Sequence, residues 1–528
     1  MTNSLEDIEE AEAFFVTGSN TTETHPVISY RVRRAKKRGA KLVVADPRRI
    51  RLAEEADVFL QLKPGTNVAM LQGIAKVILD EKLYDEEFVR EKCEGFDEFA
   101  EAINAVKLDE VAEITGVPAE KIAQAARIYA ESKPATILYA MGITQHAQGT
   151  DNVLALASLA MLTGNMGKRG GGVNPLRGQN NVQGACDMAA LPNVLPGYQP
   201  VTSEEARKKF EKAYGAEIPG EPGMPMTVMF KEALTGGIKG LYIMGENPVM
   251  SEADSGKARE ALQKLDLVVV QDIFFNETAE YADVVLPAAS FAEKDGSFVN
   301  TERRVQRIRK AINPPGEAKS DTEIISQLAG KIGLKGFNYG SQEEIMQEIA
   351  SLVPKWAGIS YERIEQCGIS WPCPEEEHPG TPILYTEKFL RENGKALFKP
   401  VTYQQPQETT DSEYPFALTT GRVLYHYHTG TMTRKVDGLS ALYGEEKVWL
   451  NPKDAEKLGV EQGDKVKVAS RRGEVTAQAE PAREILEGTV FMTFHFAEAC
   501  ANELTNSAMD PVAKIPELKV CAVNVERA

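Results

Sequence analysis

The sequence predicts an α/β protein with two related, doubly wound nucleotide-binding halves followed by a C-terminal β-barrel. Two observations lead to this prediction. A pattern of short apolar runs occurs twice, and beyond about residue 400 the chain consists mainly of short strand-like segments separated by turn residues. A length of 528 residues leaves room for roughly three to four domains.

The first copy of the repeat begins with the apolar run AFFVT, which is followed by Gly18 and Asn20. A second run, KLVVA, ends at Asp46, 28 residues after Gly18, and Asp57 follows 11 residues later inside ADVFLQL. Short β-branched runs separated by helix-length segments indicate parallel, buried strands.

The second copy has Gly245 and Asn247 after GLYIM, and Asp272 at the end of LVVVQD, 27 residues after Gly245. Asp283, inside ADVVLP, again follows after 11 residues. Ligands of such sheets bind beyond the carboxyl ends of the strands, where these side chains fall. The matched spacing favours ligand contact, and helix capping by each aspartate is the alternative. No GxGxxG or GxxxxGK[ST] loop is present, which disfavours NAD, FAD and ATP.

The composition excludes several classes of protein. A net charge of −17 and a pI near 5.1 argue against a general nucleic-acid partner. No apolar run approaches the ~20 residues that span a bilayer, and the acidic N-terminal stretch indicates a cytoplasmic protein. The six cysteines include no CxxC pair and the six histidines show no compact ligand pattern, so no metal site is predicted within the chain.

Two basic segments and one glycine-rich segment are candidates for ligand contact. Residues 31–51 are strongly basic; most of them are expected on the solvated face of a crossover helix, whereas Arg48 is better placed to meet a phosphate. The run TERRVQRIRK at 301–310 is typical of a strand. Residues 163–192 combine glycines and amides around Arg177, whose guanidinium suits bidentate recognition of a carboxylate. This segment is either a ligand-binding loop or a structural crossover.

These motifs resemble those of molybdenum- or tungsten-dependent formate dehydrogenase catalytic subunits, members of the molybdopterin oxidoreductase superfamily. The most specific is NPLRGQNNVQGACDM at 174–188, supported by GSNTTETHP, MGITQH, GENP, VVQDIF and ADVVLPAASFAEKDGSFVNTERR. The resemblance extends over essentially the whole chain. It implies two molybdopterin guanine dinucleotides bound to one Mo or W ion, and a double-psi type C-terminal barrel that covers both.

The resemblance also implies roles for individual residues. Arg177 would hold the formate carboxylate. The first dinucleotide would be lined by Gly18, Asn20, Asp46, Arg48, Gly65 and Asn67, with Met141, Gln145 and Gln179 near its pterin. The second would be lined by Gly245, Asn247, Ser251, Gln271, Asp272 and Asp321. Arg422, Asn502 and Lys519 would reach in from the barrel.

Five segments are expected from these motifs. They are a first dinucleotide-binding domain (1–180), an incomplete second one (181–291), a segment that packs on an iron–sulfur domain (292–320), a helical and Pro-rich connection (321–408) and the barrel (409–528). The family's [4Fe–4S] cysteines and its Cys or selenocysteine metal ligand do not occur in this sequence. Motif alignment places Met1 just after that ligand, so the chain is expected to be a fragment, and inactive alone. A selenocysteine codon read as a stop would account for this.

The implied reaction is the reversible oxidation of formate to CO₂, with electron-transfer or hydrogenase subunits as partners. Two other functions stay open at this point. One is a different molybdopterin oxidoreductase, for example a nitrate reductase-like enzyme, which is not expected to share Arg177. The other is a non-catalytic scaffold subunit that retains the fold within an electron-transfer complex.

Overall fold

The computed structural model describes all 528 residues, which form two compact units. The first unit comprises Met1–Gly178, Met250–Gly256 and Ile383–Ala528, and the second comprises Gln179–Val249 and Lys257–Pro382. The finer division into five segments stays a prediction. None of the helices has the length and apolar character needed to cross a membrane.

The N-terminal part of the first unit alternates strands and helices. Its strands are β1 (Ala13–Thr17), β2 (Lys41–Ala45), β3 (Val58–Leu60), β4 (Cys93–Glu94), β5 (Ala135–Tyr139) and β6 (Val173–Pro175). Its helices are α1 (Thr21–Thr24), α2 (Pro26–Lys37), α3 (Asn67–Asp80), α4 (Glu86–Lys92), α5 (Phe96–Asn104), α6 (Leu108–Thr115), α7 (Ala119–Glu131), α8 (Met141–Thr144) and α9 (Gly149–Leu162).

Five of these strands form a parallel sheet in the order β3-β2-β1-β5-β6. Successive side chains of a strand point to opposite faces, and β1 is buried on both. Phe14 and Val16 pack into one apolar core, and Phe15 packs into the other. This two-sided burial explains why the strands appear in the sequence as continuous apolar runs rather than as alternating ones.

Residues 179 to 382 contain the second copy of the repeat. The strands here are β7 (Val194–Leu195), β8 (Gln199–Pro200), β9 (Gly240–Met244), β10 (Leu267–Asp272), β11 (Val284–Pro287), β12 (Gly296–Val299), β13 (Arg304–Ile308) and β14 (Ile369–Ser370). The helices are α10 (Val182–Asp187), α11 (Glu204–Tyr214), α12 (Met226–Thr235), α13 (Pro248–Ser251), α14 (Ser255–Lys264), α15 (Asp321–Lys331) and α16 (Gln342–Leu352).

The predicted repeat is confirmed by the strand order. The second copy forms the parallel sheet β11-β10-β9. Counted within each copy, the order is third, second, first strand, as it is for β3-β2-β1 in the first copy. The basic run at 301–310 does form a strand, β13, which pairs antiparallel with β12 and β14.

The C-terminal part of the first unit is the predicted barrel. After β15 (Ala396–Leu397), its elements are β16 (Phe416–Gly421), α17 (Asp437–Leu442), β17 (Lys447–Leu450), α18 (Pro452–Leu458), β18 (Lys465–Ala469), β19 (Glu474–Pro481), β20 (Thr489–Thr493) and β21 (Cys521–Arg527). Six strands close in the order β16-β20-β17-β19-β18-β21. The predicted cap of α18 is present, because Asn451 Oδ1 accepts a hydrogen bond of 3.0 Å from Lys453 N–H.

Short 3₁₀ helices complete the chain, at Asp7–Glu10, Arg51–Glu55, Ala279–Tyr281, Pro354–Trp356, Thr433–Lys435, Ala497–Ala499 and Ala501–Glu503. The first of them explains the basic face of the crossover helix α2. Glu9 pairs with Arg31 at 2.6 Å and also with Arg34, and Glu55 pairs with Arg33 at 2.5 Å. The helix lies where the sequence predicts it, but acidic side chains, and not solvent alone, face its arginines.

The two repeat glycines differ in what surrounds them, which provides a matched test. Both have a positive φ, +57° at Gly18 and +65° at Gly245. A Cβ on Gly18 would lie 2.6 Å from the carbonyl carbon of Gly142, whereas a Cβ on Gly245 would meet nothing within 4 Å. We expect Gly245→Ala to cost about 1 kcal/mol through backbone strain alone. Gly18→Ala also overpacks rigid backbone and should cost about 2–4 kcal/mol.

Thermal unfolding of the two variants beside the unmodified protein measures this difference. Equal losses of stability would contradict the close approach of Gly18 to Gly142.

A buried acid in the barrel predicts a pH dependence of stability. Glu446 precedes β17 and is 3% exposed. Its Oε1 accepts hydrogen bonds from Thr493 N–H at 2.8 Å and from Lys447 N–H at 3.2 Å. Burial raises the pKa of Glu446 to about 8, and these hydrogen bonds only partly oppose the rise. The side chain is therefore mostly protonated at neutral pH.

We expect Glu446→Gln to match the parent protein near pH 5 and to exceed it in stability near pH 9. A carboxyl whose pKa is raised in the folded state loses its contribution to stability as pH rises through that pKa, and an amide does not titrate. The difference in the free energy of unfolding should grow by about 2–4 kcal/mol over this range. Urea unfolding at both pH values measures it. Glu487→Gln, at a surface ion pair with Lys453, is the control and should show no such growth.

Candidate functional site

The carboxyl ends of β1 and β2 are tied together through Gly18. Gly18 N–H donates to Ala45 O at 3.1 Å, and its own carbonyl accepts from Gly142 N–H at 3.0 Å. Gly142 lies in α8, which begins at Met141, so the predicted pterin residues Met141 and Gln145 flank the same point. Only a residue without Cβ allows this approach. Asn20 follows within two residues and is buried.

Beyond these strand ends, the buried Lys519 faces the charges of Arg48, Arg422 and the Asp46 carboxylate. Burial and the neighbouring charges of Arg48 and Arg422 lower the pKa of Lys519 to about 7, and Asp46 opposes this change. Burial also lowers the pKa of Arg422. The Arg48 guanidinium lies 3.7 Å from the centre of the Phe491 ring, which holds it in place. Like charges held close together with little contact with water favour the binding of an anion between them.

Asp46 does not cap a helix, because the next one, at Arg51–Glu55, has Ile50 as its N-cap residue. The Oδ1 atom of Asp46 instead accepts a hydrogen bond of 2.9 Å from Arg48 N–H in the loop after β2. Burial raises its pKa, with Arg48 and Lys519 opposing. This carboxylate therefore shapes the turn that carries Arg48 and also balances part of the cationic charge.

A second group lies around Asn67, at the start of α3. Asn67 Nδ2 is 3.2 Å from His146 Nε2, which is 2.9 Å from Gly142 O. A carbonyl only accepts, so Nε2 carries the hydrogen and donates it to Gly142 O, which leaves Nδ1 as an acceptor. Asn67 Nδ2 is itself a donor and therefore does not hydrogen-bond to Nε2 in this tautomer. His146 Nδ1 is buried without a hydrogen-bond donor from the protein, and burial lowers the pKa of His146 to about 4. An N–H or O–H group of a ligand would satisfy this atom.

The barrel holds the segment that carries His146. Glu517 Oε1 accepts from Ala147 N–H at 3.1 Å, and Asp510 accepts from Thr150 N–H at 2.8 Å. Gly65, with φ +83°, lies so close to Pro406 that a Cβ would approach its ring to 2.3 Å. The loop after β5 and the loop before α3 are thus fixed by residues more than 250 positions away.

Arg177 leaves the edge strand β6 and is exposed. Leu176 N–H donates to Tyr139 O at 2.8 Å, and the carbonyl of Arg177 lies 3.0 Å from His25 Nε2. A Cβ on Gly178 would lie 3.6 Å from Nη2 of Arg422, so a second guanidinium passes beside the same loop.

Three imidazoles near Arg422 stay neutral. Burial lowers the pKa of His25 and of His428 to about 4, and the charge of Arg422 contributes to both shifts. His495, buried beside His428, is lowered to about 3. The permanent positive charge at this place therefore comes from arginine.

In the second unit the other strand ends are partly satisfied by their own neighbours. Asp272 accepts from Ile273 N–H at 2.6 Å and from Asn276 Nδ2 at 2.9 Å, and burial raises its pKa. Asn247 Oδ1 accepts from Thr278 Oγ1 at 2.8 Å. Asp272 does not cap a helix either, because the next one, at Ala279–Tyr281, has Thr278 as its N-cap residue.

Gln271, in β10, meets Asp321, the first residue of α15. Gln271 Nε2 donates to Asp321 Oδ1 at 2.6 Å, Tyr242 O–H donates to Gln271 Oε1, and Lys294 pairs with Asp321. The two residues, 50 positions apart, thus share one polar network, as their common predicted role requires.

The predicted residues fall into two groups. The first unit contains Gly18, Asn20, Asp46, Arg48, Gly65, Asn67, Met141, Gln145, Arg177, Ser251, Arg422, Asn502 and Lys519, and the second contains Gln179, Gly245, Asn247, Gln271, Asp272 and Asp321. Asn502 Nδ2 donates to Met250 O at 2.8 Å, next to Ser251. In the described chain, no three His, Cys, Asp or Glu side chains group together as a metal site.

Sequence reasoning missed several residues of these groups. His25 and His146 lie in motifs that were singled out for other residues, GSNTTETHP and MGITQH, so their positions were the available signal. The sequence gives no signal for Phe491 and Glu517, because their partners, Arg48 and Ala147, lie several hundred residues away in the chain.

Comparison with known proteins decides the family. The chain matches Molybdopterin oxidoreductase over residues 1–331 and the Molydopterin dinucleotide binding domain over residues 416–522. It belongs to the molybdopterin oxidoreductases. It is 52% identical to the F420-dependent formate dehydrogenase subunit alpha of Methanocaldococcus jannaschii, covering 100% of this chain and 78% of that protein. It is 41% identical to formate dehydrogenase H of Escherichia coli, covering 100% and 74%.

Two further comparisons show the breadth of this molybdopterin family. The assimilatory nitrate reductase catalytic subunit of Bacillus subtilis is 37% identical, covering 99% of this chain and 76% of that protein. Acetylene hydratase from Pelobacter acetylenicus superposes with a TM-score of 0.79 at 24% identity, covering 100% of this chain and 79% of the other. This second likeness supports the fold alone. The resemblance to formate dehydrogenase catalytic subunits that the motifs predicted is confirmed by the relatives at 41–52% identity.

The first-unit residues fit a molybdopterin dinucleotide. The positive charge that complements a diphosphate comes from Arg48, Arg422 and Lys519. His146 Nδ1 is a buried acceptor that receives no hydrogen bond from the protein, so a donor group of the cofactor would satisfy it. Arg422, Asn502 and Lys519 all lie within the matched dinucleotide-binding domain.

We expect Lys519→Met to have opposite effects on the cofactor-free and cofactor-loaded protein. Without an anion, removing one of three clustered cations relieves repulsion, and the melting temperature should rise by about 2–4 °C. With the cofactor, the loss of one charged contact should lower pterin content several-fold. Calorimetry and pterin fluorescence after oxidative release measure the two effects. A lower melting temperature in the cofactor-free variant would contradict the repulsion, and Lys453→Met, at the surface, should change neither quantity.

Proposed function

We propose that this chain is the part of a formate dehydrogenase catalytic subunit that binds formate and the bis-molybdopterin guanine dinucleotide of a Mo or W centre. The observation that carries the proposal is the Arg177 loop. It presents one guanidinium at the end of β6 and has a second, that of Arg422, beside Gly178. Several relatives over the whole chain are named formate dehydrogenases, which supports the same substrate.

The reaction converts formate to CO₂ with the release of one proton and two electrons. When bound, the pterin-held metal accepts the two electrons. The protein's task is to hold a small monoanion in one orientation. Arg177 can donate two parallel N–H groups to the two carboxylate oxygens, which directs the C–H bond of formate away from the guanidinium.

The surrounding charge favours formate over neutral molecules of the same size. Arg422 adds a permanent positive charge close to the loop, and His25 and His428 stay neutral, so the attraction for an anion does not depend on histidine protonation. The dinucleotide would be held by the cationic group at Asp46 and by Asn67 and His146. An iron–sulfur cluster belongs, in this proposal, to sequence outside the 528 residues.

Electrons pass from this subunit to electron-transfer or hydrogenase partner subunits. We place the protein in the cytoplasm, whose reducing conditions suit its six free cysteines.

Substitution of Arg177 in the holoenzyme from its native host tests the proposal. With a dye as electron acceptor, Arg177→Ala should raise the KM for formate about 30- to 150-fold, because a charge-assisted pair contributes about 2–3 kcal/mol. Arg177→Lys should recover only part of the loss, since an ammonium cannot form the fork. Arg90→Ala is the control, since Arg90 is exposed and pairs only weakly with its neighbour Glu91.

The nitrate reductase-like alternative rests on the 37% identical relative. Nitrate reduction without formate oxidation by the same holoenzyme would favour it. The scaffold alternative predicts neither activity in a preparation with full pterin content.

A further inference from the structure

The imidazole of His25 is held at a fixed place between two helices. α1 ends at Thr24 and α2 begins at Pro26. The residue before a proline is driven out of helical conformation, and His25 has φ −141° and ψ 58°. Its carbonyl then accepts from Ser29 N–H at 3.0 Å, in the first turn of α2. The backbone on both sides is therefore fixed, and the ring direction is restricted.

The hydrogen bonds of His25 define its tautomer. Nε2 lies 3.0 Å from the carbonyl oxygen of Arg177, which only accepts, so Nε2 carries the hydrogen. Nδ1 is then an acceptor, 2.8 Å from the hydroxyl of Thr24. Burial and the charge of Arg422 lower the pKa of His25 to about 4, so this neutral tautomer persists at physiological pH.

The bond to His25 falls where strand pairing ends. Up to Leu176 the backbone is held by β5, through Leu176 N–H and Tyr139 O at 2.8 Å. Beyond it come Arg177 and Gly178, and a glycine has no side chain to fix its conformation. The carbonyl of Arg177 is thus tied to α1 and α2 through one imidazole.

We propose that His25 is a positioning residue for Arg177, fixing the peptide of this arginine so that its guanidinium meets the substrate carboxylate in one orientation. The inference rests on the proposed function in taking formate as the ligand of Arg177. His25 does not contact formate. Without this hydrogen bond the Arg177 peptide is held less firmly, and bound formate then has to restrict the added motion, which weakens binding.

The test compares four variants of the holoenzyme: His25→Ala, His25→Gln, Thr24→Val and the control His378→Ala. His378 is another imidazole with one local backbone bond, from Gly380 N–H at 3.0 Å. Formate oxidation with a dye gives kcat and KM. The rise in melting temperature on adding formate without acceptor gives binding separately from turnover. Pterin content is measured for each.

We expect His25→Ala to raise the KM for formate about five- to twentyfold, with a smaller change in kcat and unchanged pterin content, because one hydrogen bond is lost. The formate-induced rise in melting temperature should shrink in parallel. His25→Gln, which keeps an N–H donor, should recover most of the affinity. Thr24→Val should shift the KM in the same direction by less, and it keeps the test decisive if His25→Ala does not fold. His378→Ala should match the parent.

An unchanged KM in both His25→Ala and Thr24→Val would overturn the proposal. So would a loss of pterin content without a change in KM, since His25 would then support the cofactor. Failure of the proposed function looks different: the parent holoenzyme itself would neither oxidise formate nor be stabilised by it. In that event the positioning role for formate falls with it.

Discussion

The rest of the first unit depends on three cations held together away from water. Arg48 comes from the loop after β2, Arg422 directly follows the first barrel strand, β16, and Lys519 precedes the last, β21, which pairs antiparallel with β16. Burial, together with the charges of Arg48 and Arg422, lowers the pKa of Lys519, and the single carboxylate of Asp46 opposes this change only in part. Without an anion, the mutual repulsion of these three cations is unfavourable. Part of the free energy of anion binding therefore offsets this repulsion. A bound diphosphate would therefore stabilise both the sheet end and its contact with the barrel.

The barrel contributes position as well as charge. Glu517 and Asp510 hold the segment between α8 and α9, and Lys519 follows two residues after Glu517. The position of Lys519 is therefore linked, through Glu517, to that of the segment that carries His146. This coupling explains why a barrel far along the chain closes on the first repeat.

The strands, the repeat and the barrel could be predicted because they depend on local pattern. AFFVT and LVVVQD are apolar throughout, and parallel pairing buries both faces. The role of the strand-end aspartates could not be decided in the same way. Asp46 and Asp272 each accept a hydrogen bond from a backbone N–H close by in the sequence and neither caps a helix, yet only Asp46 has cations, Arg48 and Lys519, near its carboxylate. That difference depends on Lys519, 473 positions after Asp46.

The charge around Arg177 comes from groups that do not titrate near neutral pH. His25, His428 and His495 have pKa values of about 4, 4 and 3, because each is buried and each faces Arg422. A charged histidine beside Arg177 would also attract formate, but its contribution would disappear as pH rises through its pKa. Neutral imidazoles serve instead as directed hydrogen-bonding groups. His25 donates to the Arg177 carbonyl, and His495 Nε2 accepts from Val423 N–H at 3.2 Å, next to Arg422. Arg177 and Arg422 are thus each next to a backbone group that is hydrogen-bonded to a neutral imidazole. The arginines supply the positive charge, and the imidazoles hold the backbone beside them in place.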